Sequence, residues 1–343
     1  MKILYIGNKD RYGYSYYQYG VLKKNYKNVD LIEIKSLNLI IKFINIVHWN
    51  INLEIFDLLI LLTLKNKIKK KYDLIYIHNE SLLGKRSIIF LKKNCKKIFF
   101  FCADNPFVER DKKRWKLIKE NFNLFDQIIF IQKNRFKYSN ELKLKNTVWI
   151  PPTFKIEYQK KQKIKKKEQQ KLKSDVILIA TFFPERGELV SLLIKENINI
   201  KVYGDNWNKY KFYKKYKKFI GAKINNNKLY VKLIQSSKIS ICLPSEQNFD
   251  DITNRSFEIP YIGTLLFAKN TKTHKQFFRD NVDAILFINL KDCVKKIKKI
   301  LNNEKLRKKI ANNGYKKIKS IKNQISFKSN IVKLINEQNL RSL

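Results

Sequence analysis

Short apolar runs alternate with helix-length segments in two successive series, and this alternation constrains the fold more than any other feature. The first series predicts strands at 3–6, 73–77, 97–102, 127–131 and 148–150. The second predicts strands at 176–180, 200–203, 238–243, 264–267 and 284–287. Continuous apolar runs spaced in this way are typical of parallel strands covered on both faces. We therefore predict an α/β protein with two Rossmann-like, doubly wound lobes.

A basic segment, Lys155–Lys173, separates the two series. It is charged, has few apolar residues and contains no glycine, so we interpret it as a linker or an exposed helix. Doubly wound sheets bind ligands at the carboxyl ends of their strands, which places the expected site in a cleft between the lobes. The predicted organisation is an N-terminal domain, a linker, a C-terminal domain and a helical tail, at 1–154, 155–173, 174–322 and 323–343.

The chain is strongly basic. Its 343 residues carry 73 Lys and Arg against 29 Asp and Glu, a formal charge of +44. Such a charge favours a polyanionic partner, whether nucleic acid, an anionic membrane or an acidic polysaccharide. Genome-wide codon bias is an alternative explanation, since Lys, Asn, Ile, Phe and Tyr all have AT-rich codons. The lysines are dispersed and no nucleic-acid-binding motif is present, so we expect no specific nucleic-acid partner.

The cysteines and histidines argue against metal and disulfide chemistry. The four cysteines are far apart and form no C-x-x-C pair, which excludes a cysteine zinc finger and fits a reducing compartment. The three histidines form no H-x-x-x-H pair. We therefore expect neither a metal site nor another cofactor.

The expected location is cytoplasmic. Met1 leads directly into an apolar strand pattern with no signal-peptide cleavage site. The most apolar stretch, Leu37–Leu64, is interrupted by polar and charged residues, which predicts a buried or interface-lying amphipathic helix instead of a membrane span. The basic run Lys65–Lys71 beside apolar residues 55–64 predicts peripheral association with an anionic inner membrane.

Two turns of the second series have the chemistry of a phosphate site. Arg186 lies where the strand 176–180 turns into a helix, and such turns present free N–H groups and the positive end of a helix dipole. Its guanidinium is a planar, two-pronged donor suited to a diphosphate. Gly204 follows the strand 200–203 directly, where a glycine permits close backbone approach to a ligand.

Three further polar residues lie near one predicted helix start. Arg255 and Glu258 are three residues apart and therefore share a helix face, and Asp250 precedes Glu258 by eight residues. A carboxylate at this place accepts hydrogen bonds from ribose hydroxyls. An Arg–Glu surface pair, worth little in stability, is the alternative interpretation.

Three motifs occur in order in the second half: P-E-R at 184–186, Y-G-D-N-W at 203–207 and R-S-F-E-I-P at 255–260. With the segment 283–318 they resemble the spore-protein CgeB-like glycosyltransferases. These enzymes have the GT-B fold and are distant relatives of the large "glycosyl transferases group 1" class. The resemblance covers about residues 175–320. The first half is similar more loosely, through DLIYIHNE at 73–80 and FFFCADNP at 99–106.

The resemblance implies a glycosyltransferase that moves a sugar, without a metal, from a nucleotide-sugar donor to a glycan, lipid-linked or protein acceptor. It implies that the C-terminal domain binds the donor. Glu258 matches the glutamate that holds the ribose, and Arg186 and Arg255 resemble the diphosphate contacts. Asp250 falls where the wider class has a glutamate that contacts the donor sugar.

The same resemblance gives the N-terminal domain the acceptor side. His78, at the end of the strand 73–77, resembles the cleft histidine of the wider class. Asp104, after the strand 97–102, is similar in place to an acidic element that orients an acceptor hydroxyl or serves as a base. The loop 7–20, with Gly7 and Gly13, would form the acceptor-side lip.

Three other functions remain open on the sequence. A non-catalytic nucleotide-sugar-binding or surface-assembly protein could have the same fold, and so could a sugar-nucleotide epimerase. A nucleic-acid-binding protein is suggested only by the charge.

Overall fold

A computed structural model describes residues 1–51, 54–131, 144 and 146–340. The chain forms two compact units. Unit 1 comprises Met1–Pro151, Glu246–Phe249 and Phe327–Leu343, and unit 2 comprises Pro152–Ser245 and Asp250–Ser326. Each unit contains a six-stranded sheet whose strand pairs are all parallel. The prediction of two Rossmann-like α/β halves is confirmed.

The sheet of unit 1 has the order β2-β1-β3-β4-β5-β6. Its strands, in chain order, are β1 Lys2–Ile6, β2 Asn28–Ile32, β3 Tyr72–His78, β4 Cys95–Cys102, β5 Gln127–Phe130 and β6 Thr147–Trp149. The α-helices described in this unit are Tyr14–Asn25, Leu39–Val47, Glu54–Lys67, Lys85–Lys93, Lys116–Lys119 and Lys333–Leu340. The strand order reverses between β1 and β3, which makes the carboxyl ends of these two strands the switch point of the sheet.

The sheet of unit 2 has the order β12-β11-β10-β7-β8-β9. Its strands are β7 Ser174–Ile179, β8 Ile200–Tyr203, β9 Ile220–Gly221, β10 Ser237–Cys242, β11 Leu265–Lys269 and β12 Ile285–Phe287. Its helices are Lys166–Leu172, Pro184–Lys195, Tyr213–Tyr216, Asn227–Gln235, Asn254–Ile262, Lys272–Phe277, Leu290–Leu301 and Glu304–Ile321. Read from β9, this is the Rossmann strand order 3-2-1-4-5-6, with its switch point between β7 and β10.

Burial on both faces explains why the strands read as continuous apolar runs. Along β4, Phe100 belongs to the core on one face of the sheet, whereas Phe99 and Phe101 belong to the core on the other. All three are at most 1% exposed. Because side chains alternate in direction along a strand, a sheet covered on both faces favours apolar residues at consecutive positions.

Two strands were not predicted, β2 and β9. Both lie at a sheet edge, where a strand has only one neighbour. Residues 29–32 of β2 are only half-buried and Asn28 is exposed, and β9 is two residues long. An edge strand needs no continuous apolar run, so neither produces a strong sequence signal.

The segments predicted as linker and tail are divided between the units. Lys155 and Gln159, from the predicted linker, are buried in unit 2, whereas the helix Lys166–Leu172 has no buried residue. In the tail, Phe327 and Ile331 pack into the core of the first sheet. Within the described ranges, no helix combines the length and the apolar character needed to cross a membrane.

Candidate functional site

The helix Asn254–Ile262 presents two predicted donor-site residues in its first turns. Thr253 precedes the helix, and its backbone N–H donates to Oγ of Ser256 at 3.3 Å, a capping interaction that sets the helix start. Arg255 and Glu258 follow on one helix face. The helix start, with its partial positive charge, therefore lies beside a guanidinium and a carboxylate.

Glu258 is held by two partners that sequence reasoning missed. The hydroxyl of Tyr230 donates to Oε2 at 2.5 Å, and Nε2 of Gln159 donates to Oε1 at 3.3 Å. Burial raises the pKa of Glu258, while the Tyr230 hydrogen bond and the nearby Arg255 act in the opposite direction. A carboxylate has about four lone-pair positions, so the two bonds orient the group without using all of its acceptor capacity.

Arg186 lies at the switch point of the second sheet. One of its terminal nitrogens donates to the carbonyl of Thr181, just after β7, and the other to the carbonyl of Leu243, just after β10, both at 2.8 Å. The side chain is 3% exposed, and its Nε has no hydrogen-bond partner among the described residues. Arg186 thus joins the ends of the two strands, and its direct contact with a diphosphate remains a prediction.

The charges around Arg186 form one electrostatic cluster. Burial, together with the positive charge of Arg255, lowers the pKa of Arg186 to about 10, whereas Asp250 acts in the opposite direction. The positive charge of Arg255 also favours the ionised form of Glu258 and so acts to lower its pKa. Two neighbouring guanidiniums beside a helix start create a positive potential that a bound anion would relieve.

Gly204 is required by the packing of the strand ends. It has φ +149, and a Cβ at this position would lie 2.0 Å from the carbonyl oxygen of Ala180. Trp207 is buried in the same unit, and its Nε1 donates to the same carbonyl oxygen at 2.8 Å. Packing of the strand ends therefore accounts for a glycine at this position, and a contact with the donor stays a prediction.

The switch point of the first sheet holds Gly7 and His78. A Cβ added to Gly7, just after β1, would lie 3.3 Å from Cβ of His78 and 2.5 Å from Oγ of Ser15. The His78 ring stacks on Phe101 at 5.1 Å, and its Nε2 is buried without a hydrogen-bond partner in the described part of the chain. Burial lowers the pKa of His78 to about 4, so the imidazole is neutral near pH 7.

Gly13 sits immediately before the helix Tyr14–Asn25. Its N–H donates to the carbonyl of Asp10 at 2.8 Å, and the hydroxyl of Ser15 accepts from the N–H of Asn8 at 2.9 Å. These bonds fold the loop after β1 back against the helix start. The structure therefore places Gly7 and Gly13 at the two ends of one compact loop.

Asp104 belongs to an ion-pair network that the sequence did not predict. Its Oδ2 accepts from Asn79 at 2.9 Å and from Arg114 at 3.2 Å, and Arg110 lies 3.8 Å from Oδ1. Asn79 also accepts from the backbone N–H of Asp104 at 3.0 Å. Asp111 ties the same two arginines together. The Asp104 carboxylate is therefore fixed in position and one-third exposed.

The missed residues gave no local signal. Gln159 and Tyr230 lie 99 and 28 residues from Glu258, and Asn79 and Asp104 are 25 residues apart. The polar residue following a buried strand is the only sequence cue that could have pointed to Asn79. Within the described ranges, no three His, Cys, Asp or Glu side chains group as a metal site would need.

Comparisons with known proteins agree with this architecture. Residues 186–324 match the model of the family described as glycosyl transferase-like. Among solved structures, sucrose-phosphate synthase from Thermosynechococcus elongatus is similar over 100% of both chains, with TM-score 0.73 and 11% identity. HepE from Anabaena, crystallised with UDP-glucose, is similar over 100% of both chains, with TM-score 0.62 and 12% identity.

A glycosyltransferase from Rickettsia africae is similar over 98% of this chain and 97% of its own, with TM-score 0.63 and 15% identity. No protein of curated function matches the sequence. The chain therefore has the GT-B fold, and its residues 186–324 contain the glycosyl transferase-like domain. The narrower resemblance to the CgeB-like group stays a prediction.

Proposed function

We propose that this chain transfers a sugar from a nucleotide-sugar donor and that unit 2 binds the donor. One observation supports this most strongly: four predicted donor-site residues form one cluster beside the switch point of the second sheet, within the segment that matches the family model. These residues are Arg186, Asp250, Arg255 and Glu258. Ligands of doubly wound sheets bind at such points.

Each member of the cluster has a role that its chemistry supports. Glu258, oriented by Tyr230 and Gln159, accepts hydrogen bonds from the ribose hydroxyls. Arg255 contacts the diphosphate. Arg186 adds positive charge to the site while its hydrogen bonds join the ends of β7 and β10. Asp250 contacts hydroxyls of the donor sugar, and Gly204 lies at the adjoining strand end.

The electrostatics suit the departure of a diphosphate. Glycosyl transfer passes through an oxocarbenium-like state, comparable to that of glycoside hydrolysis. The leaving diphosphate gains negative charge, which Arg255 and the start of the helix Asn254–Ile262 stabilise. These groups supply the positive charge that a metal ion would otherwise provide, so we propose metal-independent transfer.

The acceptor contacts unit 1 in this proposal. Neutral His78 has a buried Nε2 without a partner among the described residues, and an acceptor or sugar hydroxyl would satisfy it. Asp104, held by Asn79, orients the acceptor hydroxyl or takes its proton. Gly7 and Gly13 shape the adjoining loop. The acceptor itself is a glycan, a lipid-linked glycan or a protein.

The proposed location is cytoplasmic and peripheral to the inner membrane. The four cysteines are far apart in the sequence and form no C-x-x-C pair, which suits a reducing compartment. The charge of +44 favours an anionic lipid surface. No specific nucleic-acid partner is proposed.

Thermal unfolding with a panel of nucleotide sugars tests the donor assignment. UDP-, GDP-, dTDP-, ADP- and CMP-sugars are compared, starting with UDP-glucose, the ligand crystallised with HepE. A true donor at 100 times its Kd adds about 2.7 kcal/mol of stability. Absence of a shift with every nucleotide sugar would contradict the proposal.

Product analysis with the stabilising donor then separates the remaining functions. Slow release of free sugar without an acceptor, and faster consumption with one, supports transfer. An epimerised donor indicates an epimerase. A donor that binds and stays unchanged under all conditions indicates a non-catalytic binding protein.

A further inference from the structure

The helix Leu39–Val47 carries an apolar face that unit 1 leaves exposed. Leu39, Ile40, Phe43 and Ile46 are 82%, 58%, 64% and 67% exposed, respectively. The opposite side of the same helix is buried through Ile41 and Ile44. The helix therefore carries apolar residues on its exposed side as well as on the side that packs on the core. An apolar patch of this kind marks an interaction site on a folded protein.

The exposed side chains continue past the end of the helix. Trp49 and Ile51 lie shortly after it, and Ile55 lies in the first turn of the next helix, Glu54–Lys67. The indole of Trp49 lies against the guanidinium of Arg114, 4.6 Å from its ring centroid, so a cation holds one edge of the patch. We call this set the apolar face; it consists of Leu39, Ile40, Phe43, Ile46, Trp49, Ile51 and Ile55.

Exposed lysines border the apolar face. Lys42 lies within the helix itself. At the C-terminal end, Lys112 Nζ donates to the side chain of Asn50 at 2.7 Å, and the N–H of Lys113 donates to the carbonyl of Trp49 at 3.1 Å. These two contacts fix a pair of exposed lysines beside Trp49.

The other end of the face has cations as well. Nδ2 of Asn38, which caps the helix, donates to Oγ1 of Thr63 at 3.2 Å. Lys65 and Lys67 are exposed in the turn that follows Thr63. Glu54 is exposed at the start of the second helix and opposes them. The border of the apolar face thus carries an excess of positive charge.

We propose that the apolar face docks on the surface of an anionic lipid bilayer. Leu39, Phe43 and Ile46 would enter the boundary between headgroups and acyl chains, as the apolar side of an interfacial helix does. The bordering lysines would meet lipid phosphates, and Trp49 would lie at headgroup level, where its amphipathic ring is favoured.

Charge and shape favour a membrane over a second copy of the chain. Two copies, each at +44, repel one another, and pairing these faces would bring their lysines together. The most exposed of these side chains, Leu39, Phe43 and Ile46, project from a single helix of nine residues, which suits insertion into a deformable lipid surface. An anionic bilayer satisfies both the apolar face and its basic border.

The exposed apolar surface differs from the one that the sequence predicts for membrane association. The sequence predicts residues 55–64, beside Lys65–Lys71, yet Ile60 and Leu64 of that stretch are buried in the core. The exposed apolar side chains lie mainly one helix earlier. This inference extends the proposed membrane association and is independent of the proposed transfer reaction.

Vesicle co-sedimentation tests the docking surface. The full chain is mixed at low salt with phosphatidylcholine vesicles that contain increasing phosphatidylglycerol. We expect binding that rises with phosphatidylglycerol and falls with salt, because screening weakens the lysine contacts. The double variant Phe43→Ser/Ile46→Ser should bind about tenfold more weakly or worse, since it removes two of the inserting side chains.

Two control variants distinguish binding through the apolar face from nonspecific hydrophobic binding and from the effect of net charge. Ile288→Ser changes a residue of unit 2 that is 68% exposed, close to the exposure of Ile46, and should leave binding unchanged. Lys42→Glu should weaken binding, whereas Lys305→Glu, an exposed lysine of unit 2, should do so much less. Circular dichroism and thermal melting check that each variant is folded.

Three results would overturn the proposal. The first is no binding of the unaltered chain to strongly anionic vesicles at low salt. The second is equal binding of a folded Phe43→Ser/Ile46→Ser variant, which would leave charge alone as the cause. The third is concentration-dependent self-association without vesicles that this variant abolishes, since it would assign the face to a second copy. Because no donor or acceptor is present, failure here does not bear on the transfer reaction.

Discussion

The hydroxyl of Tyr230 donates to Oε2 of Glu258 across 2.5 Å, and the two residues are 28 positions apart in the chain. Tyr230 lies on the helix Asn227–Gln235, and Glu258 on the helix Asn254–Ile262. Burial raises the pKa of Tyr230 well above its ordinary value, so the phenol stays protonated and remains a donor. The tyrosine therefore orients the carboxylate proposed to hold the donor's ribose.

Replacing Glu258 by Gln should weaken nucleotide-sugar binding by about tenfold to a hundredfold, because hydrogen bonds to a charged group contribute about 1.5–3 kcal/mol. Tyr230→Phe should weaken it less, since it removes only the orientation. Calorimetric titration with the donor measures both. Glu188→Gln, an exposed glutamate of the same unit, is the matched control. Equal affinity of Glu258→Gln for every nucleotide sugar would remove the ribose assignment.

Arg255→Ala should weaken binding of a nucleoside diphosphate far more than binding of the corresponding nucleoside. The guanidinium is proposed to contact the diphosphate, and one charge-assisted contact contributes about 1.5–3 kcal/mol. Competition titrations with the nucleoside and its diphosphate give the ratio. Arg279→Ala changes an exposed arginine of the same unit and should leave the ratio unchanged. An unaltered ratio in Arg255→Ala would place the diphosphate elsewhere.

His78→Ala and Asp104→Ala should lower kcat more than they weaken donor binding, since both residues are proposed to act on the reaction and the acceptor. A loss of about a hundredfold is expected where proton transfer is removed. Initial rates and donor titrations, measured on variants shown to be folded, supply the comparison. Wild-type turnover in both variants would identify them as ordinary residues at the strand ends.

Gly204→Ala should destabilise unit 2 by several kcal/mol, because its φ of +149 is accessible only to glycine and the new Cβ would meet the Ala180 carbonyl. Gly20→Ala provides the contrast. Nothing lies within 4 Å of a Cβ at Gly20, which is inside a helix, so stabilisation by up to about 1 kcal/mol is expected. Urea unfolding measures both changes, and equal effects of the two substitutions would contradict the packing described for Gly204.

Stability should fall as the pH falls from about 6.5 toward 4. Burial lowers the pKa of His48, His78 and His274 to about 4 in the folded chain. The unfolded chain takes up these protons near pH 6.5 and the folded chain does not, so each histidine costs up to about 1.4 kcal/mol per pH unit. The raised pKa of Glu80 and of Glu258 opposes this trend in part.

Urea unfolding between pH 7 and pH 4.5 measures that slope. A folded His274→Asn variant should show a shallower dependence, by about one proton's contribution. The same slope in this variant and in the unaltered chain would show that His274 does not contribute to the pH dependence of stability.

Much of the fold could be predicted because buried parallel strands have a recognisable local sequence pattern, a continuous apolar run. Central strands such as β4 and β10 are predicted to within one or two residues, since both faces of each strand are covered and most of their positions are buried. The edge strand β2 is half-buried along most of its length and has no such continuous apolar run. Sequence periodicity therefore reports how thoroughly an element is buried.

The candidate site divides in the same way. Arg255 and Glu258 could be paired from the sequence because helical spacing is a local property. The sequence also placed His78 and Asp104 after buried strands. Their surroundings were decided by the tertiary structure: only the order of the strands puts Gly7 beside His78, and only the packing of helices puts Tyr230 against Glu258.

The sequence by itself determined the two α/β halves and the residues that end their strands, because apolar alternation and turn chemistry act between near neighbours. Tertiary structure alone decided that Arg186 joins the ends of β7 and β10, that Phe327 returns to the core of unit 1, and that Phe43 stays exposed. These contacts join residues far apart in the chain, and hydrophobic burial fixes them only when whole elements pack. An isoleucine or phenylalanine in a helix carries no local mark of whether another element will cover it.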